Sequence, residues 1–541
     1  MAVNKNLYEI TFHPLKLSVK IPAGISVLEA ALQNNIPLEG PCNGKGTCGK
    51  CRVRYKGTLS APTETETRIL GPKVGAGWRL ACQARVMGDV EIWLEEKQAF
   101  HTVDAGQASN YPFDPPILSR VAYKETIYGV AIDIGTTSIV ASLVDLKNGG
   151  REIGVASCLN PQTQYGGDVI TRITFAHQSE ENTKKLQSAV IDGINRLIGE
   201  LVAKTKVDPS DILHVTVAAN TTMLHLLVGI DPIPLARAPY NPVFIDYREY
   251  KAAELGIKIA SDAVVSLLPS LSAFVGADIL AGMIAIDYHK ETAPSLFVDI
   301  GTNGEIVANV KGKLAATSSA AGPALEGMNI HHGCRAEDGA ISEVKINEKG
   351  EVIVKSIGTA PRKGICGSGL VDLVAELVKS KVILSSGSFA GTADLPPVLG
   401  ERVIEFQGQK AFLVDPEAGI ILTQKDIRQV QLAKAAIAAA IEILFQRLEF
   451  DIREVEKIYI AGAFGYHLKP ASLKTLGLLP AGLGGHIAFV GNTAKEGARL
   501  CLTSKLALEE IVGVQKKINA VELSYAPEFM DNYVQQMNFP D

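Results

Sequence analysis

Apolar and polar residues alternate over Tyr8-Glu9-Ile10-Thr11-Phe12 and again over Leu17-Ser18-Val19-Lys20-Ile21, the period of two that half-buried strands require. Val27 to Gln33 reads as a short helix, and Val90-Glu91-Ile92-Trp93-Leu94 closes the unit as a strand. Together they predict a small β-rich domain over residues 1–96, with Trp78 and Trp93 packing inside it. Residues 97–122, from Gln98-Ala99-Phe100 through Asp114-Pro115-Pro116, lack a period and carry prolines, so they read as a linker. From 123 to 541 apolar strands alternate with helices, which predicts α/β architecture. Lys434 to Ile441 is a strong helix former suited to core packing. The apolar run Ile279 to Ile286, bracketed by Asp278 and Asp287, is far short of the ~20 residues a membrane span needs.

Composition adds limits. The chain of 541 residues is 47% hydrophobic, enough for a large core, and its net charge of −5 gives no sign of nucleic-acid binding. Its polar start, Met1-Ala2-Val3-Asn4-Lys5-Asn6, is no signal peptide.

The cysteines change the picture most. Pro41-Cys42-Asn43-Gly44-Lys45-Gly46-Thr47-Cys48-Gly49-Lys50-Cys51 is followed by a lone Cys82 in Arg79-Leu80-Ala81-Cys82-Gln83. The spacing is C-x5-C-x2-C plus one distal thiol. Plant-type [2Fe–2S] ferredoxins take three thiolates from one loop and a fourth from farther on, and this pattern resembles them. Zinc prefers two close pairs, and Cys82 has no near mate. Gly44-x-Gly46-x-x-Gly49 also spells a dinucleotide fingerprint, but no apolar strand leads into it. Cys158, Cys334, Cys366 and Cys501 are scattered and read as buried thiols. An iron–sulfur loop with unpaired thiols points to a reducing cytoplasm. His331-His332 beside Cys334 fits no common metal spacing.

An internal echo is the second signal. Ala131-Ile132-Asp133-Ile134-Gly135-Thr136-Thr137-Ser138 recurs as Phe297-Val298-Asp299-Ile300-Gly301-Thr302-Asn303-Gly304. Each copy is an apolar strand ending in Asp-Ile-Gly-Thr that runs into a second apolar strand, so each predicts a tight hairpin. The separation is domain-sized, which predicts a duplicated, two-lobed unit with lobes at about 123–294 and 295–541. Glycine and small hydroxyls leave the N–H groups of such turns free to cradle phosphate. Asp133 and Asp299 at the strand ends can hold Mg²⁺ or orient a water, and Glu305 is a further water-orienting candidate. Ala321-Gly322-Pro323-Ala324-Leu325-Glu326-Gly327 and Gly364-Ile365-Cys366-Gly367-Ser368-Gly369 read as glycine-rich helix starts that favour anions or as tight turns.

The twin hairpins resemble the two phosphate motifs of the ASKHA superfamily, which includes actin, Hsp70 and sugar kinases. Ile458-Tyr459-Ile460-Ala461-Gly462-Ala463-Phe464-Gly465 looks like its adenosine strand and turn, with Ala463 where many members have glycine. Gly276-Ala277-Asp278 and Gly491-Asn492-Thr493-Ala494 resemble the two helices on which the lobes pivot. A β-grasp [2Fe–2S] ferredoxin domain on an ASKHA ATPase core resembles the reductive activators of corrinoid proteins. The stretches Asn160 to Val169, Asn220 to His225 and Thr423 to Arg428 agree with that family. Some relatives carry an extra domain before the core; here only the linker stands there, so a dimerisation role of that domain does not carry over.

The resemblance implies roles. Cys42, Cys48, Cys51 and Cys82 would hold the cluster; Gly135, Thr136, Thr137, Gly301, Thr302, Asn303, Gly304, Gly322, Glu326, Gly462 and Gly465 would line the ATP site; Asp133, Asp299 and Glu305 would organise Mg²⁺ and water. It implies an ATP-dependent return of Co(II) to Co(I) on a corrinoid protein, fed by an upstream ferredoxin or flavoprotein, with no nucleic acid or membrane partner and a homodimer left open. Such a cluster sits near ~−400 mV, the cobalt couple lies lower, and each ~59 mV uphill costs about 1.4 kcal/mol. Two other readings stand beside it: an ATP-driven activator of another low-potential enzyme, and a small-molecule kinase with a redox-sensing ferredoxin domain.

Overall fold

The computed structural model describes residues 7–34, 36, 38, 40, 42, 44–46, 49–94, 105–121, 124–462 and 468–540. At the N-terminal end, five strands form one sheet in the order Leu17–Pro22, Leu7–His13, Val86–Leu94, Arg52–Leu59, Trp78–Leu80. Leu7–His13 and Val86–Leu94 run parallel, with Ile10 opposite Val90, and the remaining pairs are antiparallel. The helix Val27–Gln33 buries Val27, Leu28, Ala30 and Ala31 in one core with the sheet and starts at a capping box in which Ser26 accepts from Glu29 N and Glu29 accepts from Ser26 N. Ile10, Phe12, Val27, Leu28, Val53, Leu80 and Ile92 close a core of their own. Trp93 does not join it. The alternation that sends Val90 and Ile92 inward turns Trp93 outward, 38% exposed and stacked on His13 at 4.9 Å. Trp78 packs partly buried against the core and lies under the Arg54 guanidinium.

A buried ion pair fixes the approach to the distal cysteine. Glu66, on the helix Glu64–Leu70, accepts from Arg79 Nε at 2.8 Å, Arg79 Nη2 at 2.9 Å and Leu80 N at 3.0 Å. Both side chains are almost wholly enclosed. Removing one partner leaves the other charge buried and alone, which costs about 3–5 kcal/mol. Glu66→Ala is therefore expected to shift the urea midpoint of the N-terminal domain strongly, followed through the environment of Trp78. A midpoint within experimental scatter of the parent contradicts this.

The remainder builds two three-stranded sheets and two six-stranded sheets that repeat one plan. In the first, Tyr128–Ile134 pairs antiparallel with Ser138–Asp145 and parallel with Ile212–Ala219. In the second, Ser295–Ile300 pairs antiparallel with Gly304–Val310 and parallel with Lys457–Ala461. A third antiparallel strand follows each hairpin, Glu152–Leu159 and Lys313–Ser319. The central strands are apolar along their length because helices cover the sheets. Each sheet has its own core. Ala433 to Ile441, inside the long helix Gln424–Arg447, are all buried in or beside the second.

The helices Thr493–Thr503 and Lys505–Gln515 lie late in the chain yet pack in the first core through Ala498, Leu502, Ala507 and Ile511. The second lobe expected over 295–541 thus lends these two helices to the first, while the last helix, Phe529–Gln535, packs on the second. Small residues permit this: a Cβ on Gly497 would lie 1.9 Å from Ala281 O, and one on Gly282 would lie 2.8 Å from Thr493 Oγ1. The helices Ala277–Ala285 and Thr493–Thr503 consequently touch backbone to backbone. Residues 105–121 cross this pair as a strap: Gln107 N donates to Val490 O, Ser109 N to Ala285 O, and Asn492 N to Ala105 O.

Candidate functional site

The cysteine loop closes one end of the N-terminal sheet. Gly44, Gly46 and Gly49 take φ of +78°, +71° and +64°, a wrap that other residues adopt only with strain. A Cβ on Gly49 would lie 2.8 Å from Ile69 Cγ2. Inside the wrap the thiols of Cys42, Cys51 and Cys82 come together. Hydrogen bonds to Cys42 and Cys51, with burial, push the Cys82 thiol up, while its hydrogen bond to Cys82 pulls Cys51 down. Gln83 Nε2 braces the loop on Gly44 O at 2.9 Å. Cys48 lies outside the described residues. Cys158, Cys366 and Cys501 are buried, and Cys334 is half-buried. His332 Nδ1 accepts from Ile421 N, and burial holds His332 down at about 4.

The two hairpin turns face each other across a cleft between the lobes. Asp133 and Asp299 end their strands, and Glu305 pairs with Asp299 across the second hairpin. Asp278, at the start of the helix Ala277–Ala285, completes the group. The four carboxylates are deep in the cleft but open to it. Burial pushes Asp133 up to about 6. Burial and then the Asp133 charge push Asp278 up to about 7. Asp299 is pushed up to about 8 by burial and then by Asp278 and Asp133, and Glu305 rises through burial and then the charges of Asp278 and Asp299. Mutual repulsion thus adds to burial in holding Asp278, Asp299 and Glu305 above the ordinary carboxylate range. Gly462 closes the cleft floor, since a Cβ there would lie 2.5 Å from Asp299 Oδ1. Gly465 lies outside the described residues.

The turns are held from behind. Asn160 N donates to Thr137 O and Asn160 Nδ2 to Gly135 O at 2.9 Å. Arg172, fully buried, donates to Thr136 O, and Asn220 Nδ2 reaches Thr136 Oγ1 at 3.2 Å. Asn492 Nδ2 donates to Asp133 Oδ2 at 2.9 Å. Asp278, Asn492, Asn160 and Arg172 were not among the site residues that the sequence suggested. Asn160, Asn220 and Asn492 carry a readable mark, because each caps a helical turn with its side chain.

The two glycine-rich segments take the two forms the sequence left open, one a tight turn and the other a helix start. Pro323–Glu326 is a single 3₁₀ turn beginning at Gly322, and it offers the cleft the Glu326 side chain rather than a helix N-terminus. Glu326 Oε1 accepts from Thr302 Oγ1 at 2.8 Å and Oε2 from Thr137 Oγ1 at 3.1 Å, so one carboxylate joins both turns. The helix Gly367–Lys379 starts against Ile341 and Cys334, because a Cβ on Gly369 would lie 2.2 Å from Ile341 O and one on Gly364 3.0 Å from Cys334 Sγ.

Residues 293–541 match the family profile described as the C-terminal domain of RACo, the ASKHA domain, and residues 128–291 match the RACo middle region. Residues 10–87 match the 2Fe-2S iron-sulfur cluster binding domain. A solved reductive activator for corrinoid, iron-sulfur protein superimposes with a TM-score of 0.71 at 29% identity, covering 98% of both chains. This chain belongs to the family of reductive activators of corrinoid proteins. Among relatives of this activator, the corrinoid activation enzyme RamQ of Eubacterium limosum is 29% identical over 98% of this chain and 99% of its own. The [Co(II) methylated amine-specific corrinoid protein] reductase of Methanosarcina barkeri is 28% identical over 74% of each. The converged thiols of Cys42, Cys51 and Cys82 and the glycine wrap fit a [2Fe–2S] cluster, which these three would hold with Cys48 as the fourth ligand expected from the sequence. Among the described residues no helix is long and apolar enough to cross a membrane.

Proposed function

We propose that the chain uses ATP and Mg²⁺ to drive single electrons from its [2Fe–2S] cluster to a corrinoid protein, returning Co(II) to Co(I) for methyl transfer. The observation that carries this reading is the direct seating of the thiol loop on the lobe that carries the second hairpin: Lys50 Nζ, next to Cys51, donates to Gly333 O at 2.7 Å. A kinase has no use for such a loop, and an electron carrier has none for the cleft. The cluster supplies one-electron chemistry when bound. The hydroxyls of Thr136, Thr137 and Thr302 and the turn N–H groups bind phosphate, while Asp133, Asp278, Asp299 and Glu305 hold the cation and orient water. Asp299 and Glu305, paired across the second hairpin, are placed to accept a proton from that water. Lobe closure on the nucleotide would then favour the complex in which the electron moves.

The test mixes the reduced holoprotein with a Co(II)-loaded corrinoid protein and follows cobalt absorption. With Mg·ATP the Co(II) spectrum converts to Co(I), and the corrinoid protein stimulates ATP hydrolysis. Equal rates of cobalt reduction with and without ATP would sink the coupling. A phosphorylated small molecule would transfer the assignment to a kinase.

A further inference from the structure

Glu326 sits where an anion is expected. Its two oxygens take one hydroxyl from each turn, Thr137 from the first hairpin and Thr302 from the second. Two phosphoryl oxygens spanning the turns would need the same donors, and a hydroxyl has a single proton to give. Phosphate and the Glu326 carboxylate therefore compete. They also repel, so the nucleotide must move Glu326 aside.

That movement has somewhere to go. Glu326 is followed by Gly327 at φ +76°, and a Cβ on Gly327 would lie 2.3 Å from Cys334 O. A Cβ on Gly333 would lie 2.1 Å from Gly327 O. The backbones at 327 and 333–334 thus bear directly on each other, and packing this close passes a shift on. Gly333 O is the acceptor for Lys50 of the thiol loop. The tether to that domain rests on the same site: Asn492, which holds Asp133, donates its N–H to Ala105 O, and a Cβ on Gly106 would lie 2.5 Å from Asn492 O.

We propose that Glu326 is a built-in phosphate mimic that keeps the two turns joined and the thiol loop docked until a nucleotide displaces it. The inference rests on the reading of the cleft as a nucleotide site. It makes the docked state a resting state and nucleotide binding the signal that frees the cluster domain to meet its partner.

The test uses the full chain with its cluster and Mg·AMPPNP as probe, with affinity from calorimetry and amide exchange over 44–51 and 326–335. Saturating nucleotide is expected to raise exchange in both segments. Glu326→Ala is expected to bind about tenfold tighter, since a latch closed nine-tenths of the time weakens apparent affinity by that factor. It should also exchange quickly without nucleotide. Lys50→Met, which leaves the cleft alone, should exchange like nucleotide-bound parent while keeping its visible absorption. Equal or weaker binding by Glu326→Ala overturns the mimic and makes Glu326 an ordinary part of the site. Unchanged exchange in nucleotide-saturated parent overturns the release. Binding by neither parent nor Glu326→Ala overturns the nucleotide reading itself, and the latch with it.

Discussion

Cys51→Ala is expected to abolish cobalt reduction while ATP hydrolysis continues. Cys51 is 1% exposed, beneath the glycine wrap and in contact with Cys82. A four-thiolate site cannot keep its cluster when so enclosed a thiolate is removed, because alanine offers no ligand in its place. Iron should fall from about two per chain to a small remainder, with loss of the visible bands. Hydrolysis survives because the N-terminal sheet has its own core, and Cys51 contributes nothing to the cores of the two lobes. Cobalt reduction should drop to the rate without protein. Four irons per cluster in the parent, or zinc in place of iron, would refute the assignment, and so would residual reduction above background in the variant.

Some of this site is legible in the chain and some is not, for physical reasons. Asp133 and Asp299 are legible because a tight hairpin is local: strand, turn and returning strand are contiguous, and the duplication prints the pattern twice. The thiol loop is legible for the same reason. Asp278 is not. It begins a helix, reads as part of a small-residue packing motif, and reaches Asp133 only because Gly276 lets the helix start beside Asn220 Cα. Asn492 reaches Asp133 from more than three hundred residues away. Glu326 was legible as a residue of a glycine-rich segment, but its bridge between the turns depends on lobe placement that no local pattern encodes. The late helices Thr493–Thr503 and Lys505–Gln515 cross to the first core for a tertiary reason too: only Gly497 and its small neighbours fit against Ala281.

Asp299→Asn is expected to lower ATP turnover by about a thousandfold, within the range that loss of a positioned proton acceptor and charge produces. Asparagine has nearly the shape of aspartate, so the hairpin and the close approach of Gly462 should persist. Nucleotide affinity should change only a few fold, because the turn N–H groups and the hydroxyls of Thr137 and Thr302 remain. What is lost is one negative charge from a group of four that together attract the cation, on a carboxylate that its surroundings push up to about 8. Asp133→Asn should differ in kind. It leaves two amides facing each other at Asn492, so it should weaken the dependence on Mg²⁺ more than the chemical step. The same crowding predicts the stability of the resting protein. Asp278, Asp133 and Glu326 all press on Asp299, so its neutral replacement removes repulsion that the empty cleft must otherwise contain. Asp299→Asn should therefore melt higher than the parent without nucleotide while turning over far more slowly, the pairing that marks a strained functional site. A variant that hydrolyses ATP like the parent removes Asp299 from the chemistry. One that loses both activity and melting temperature shows that the carboxylate served the fold instead.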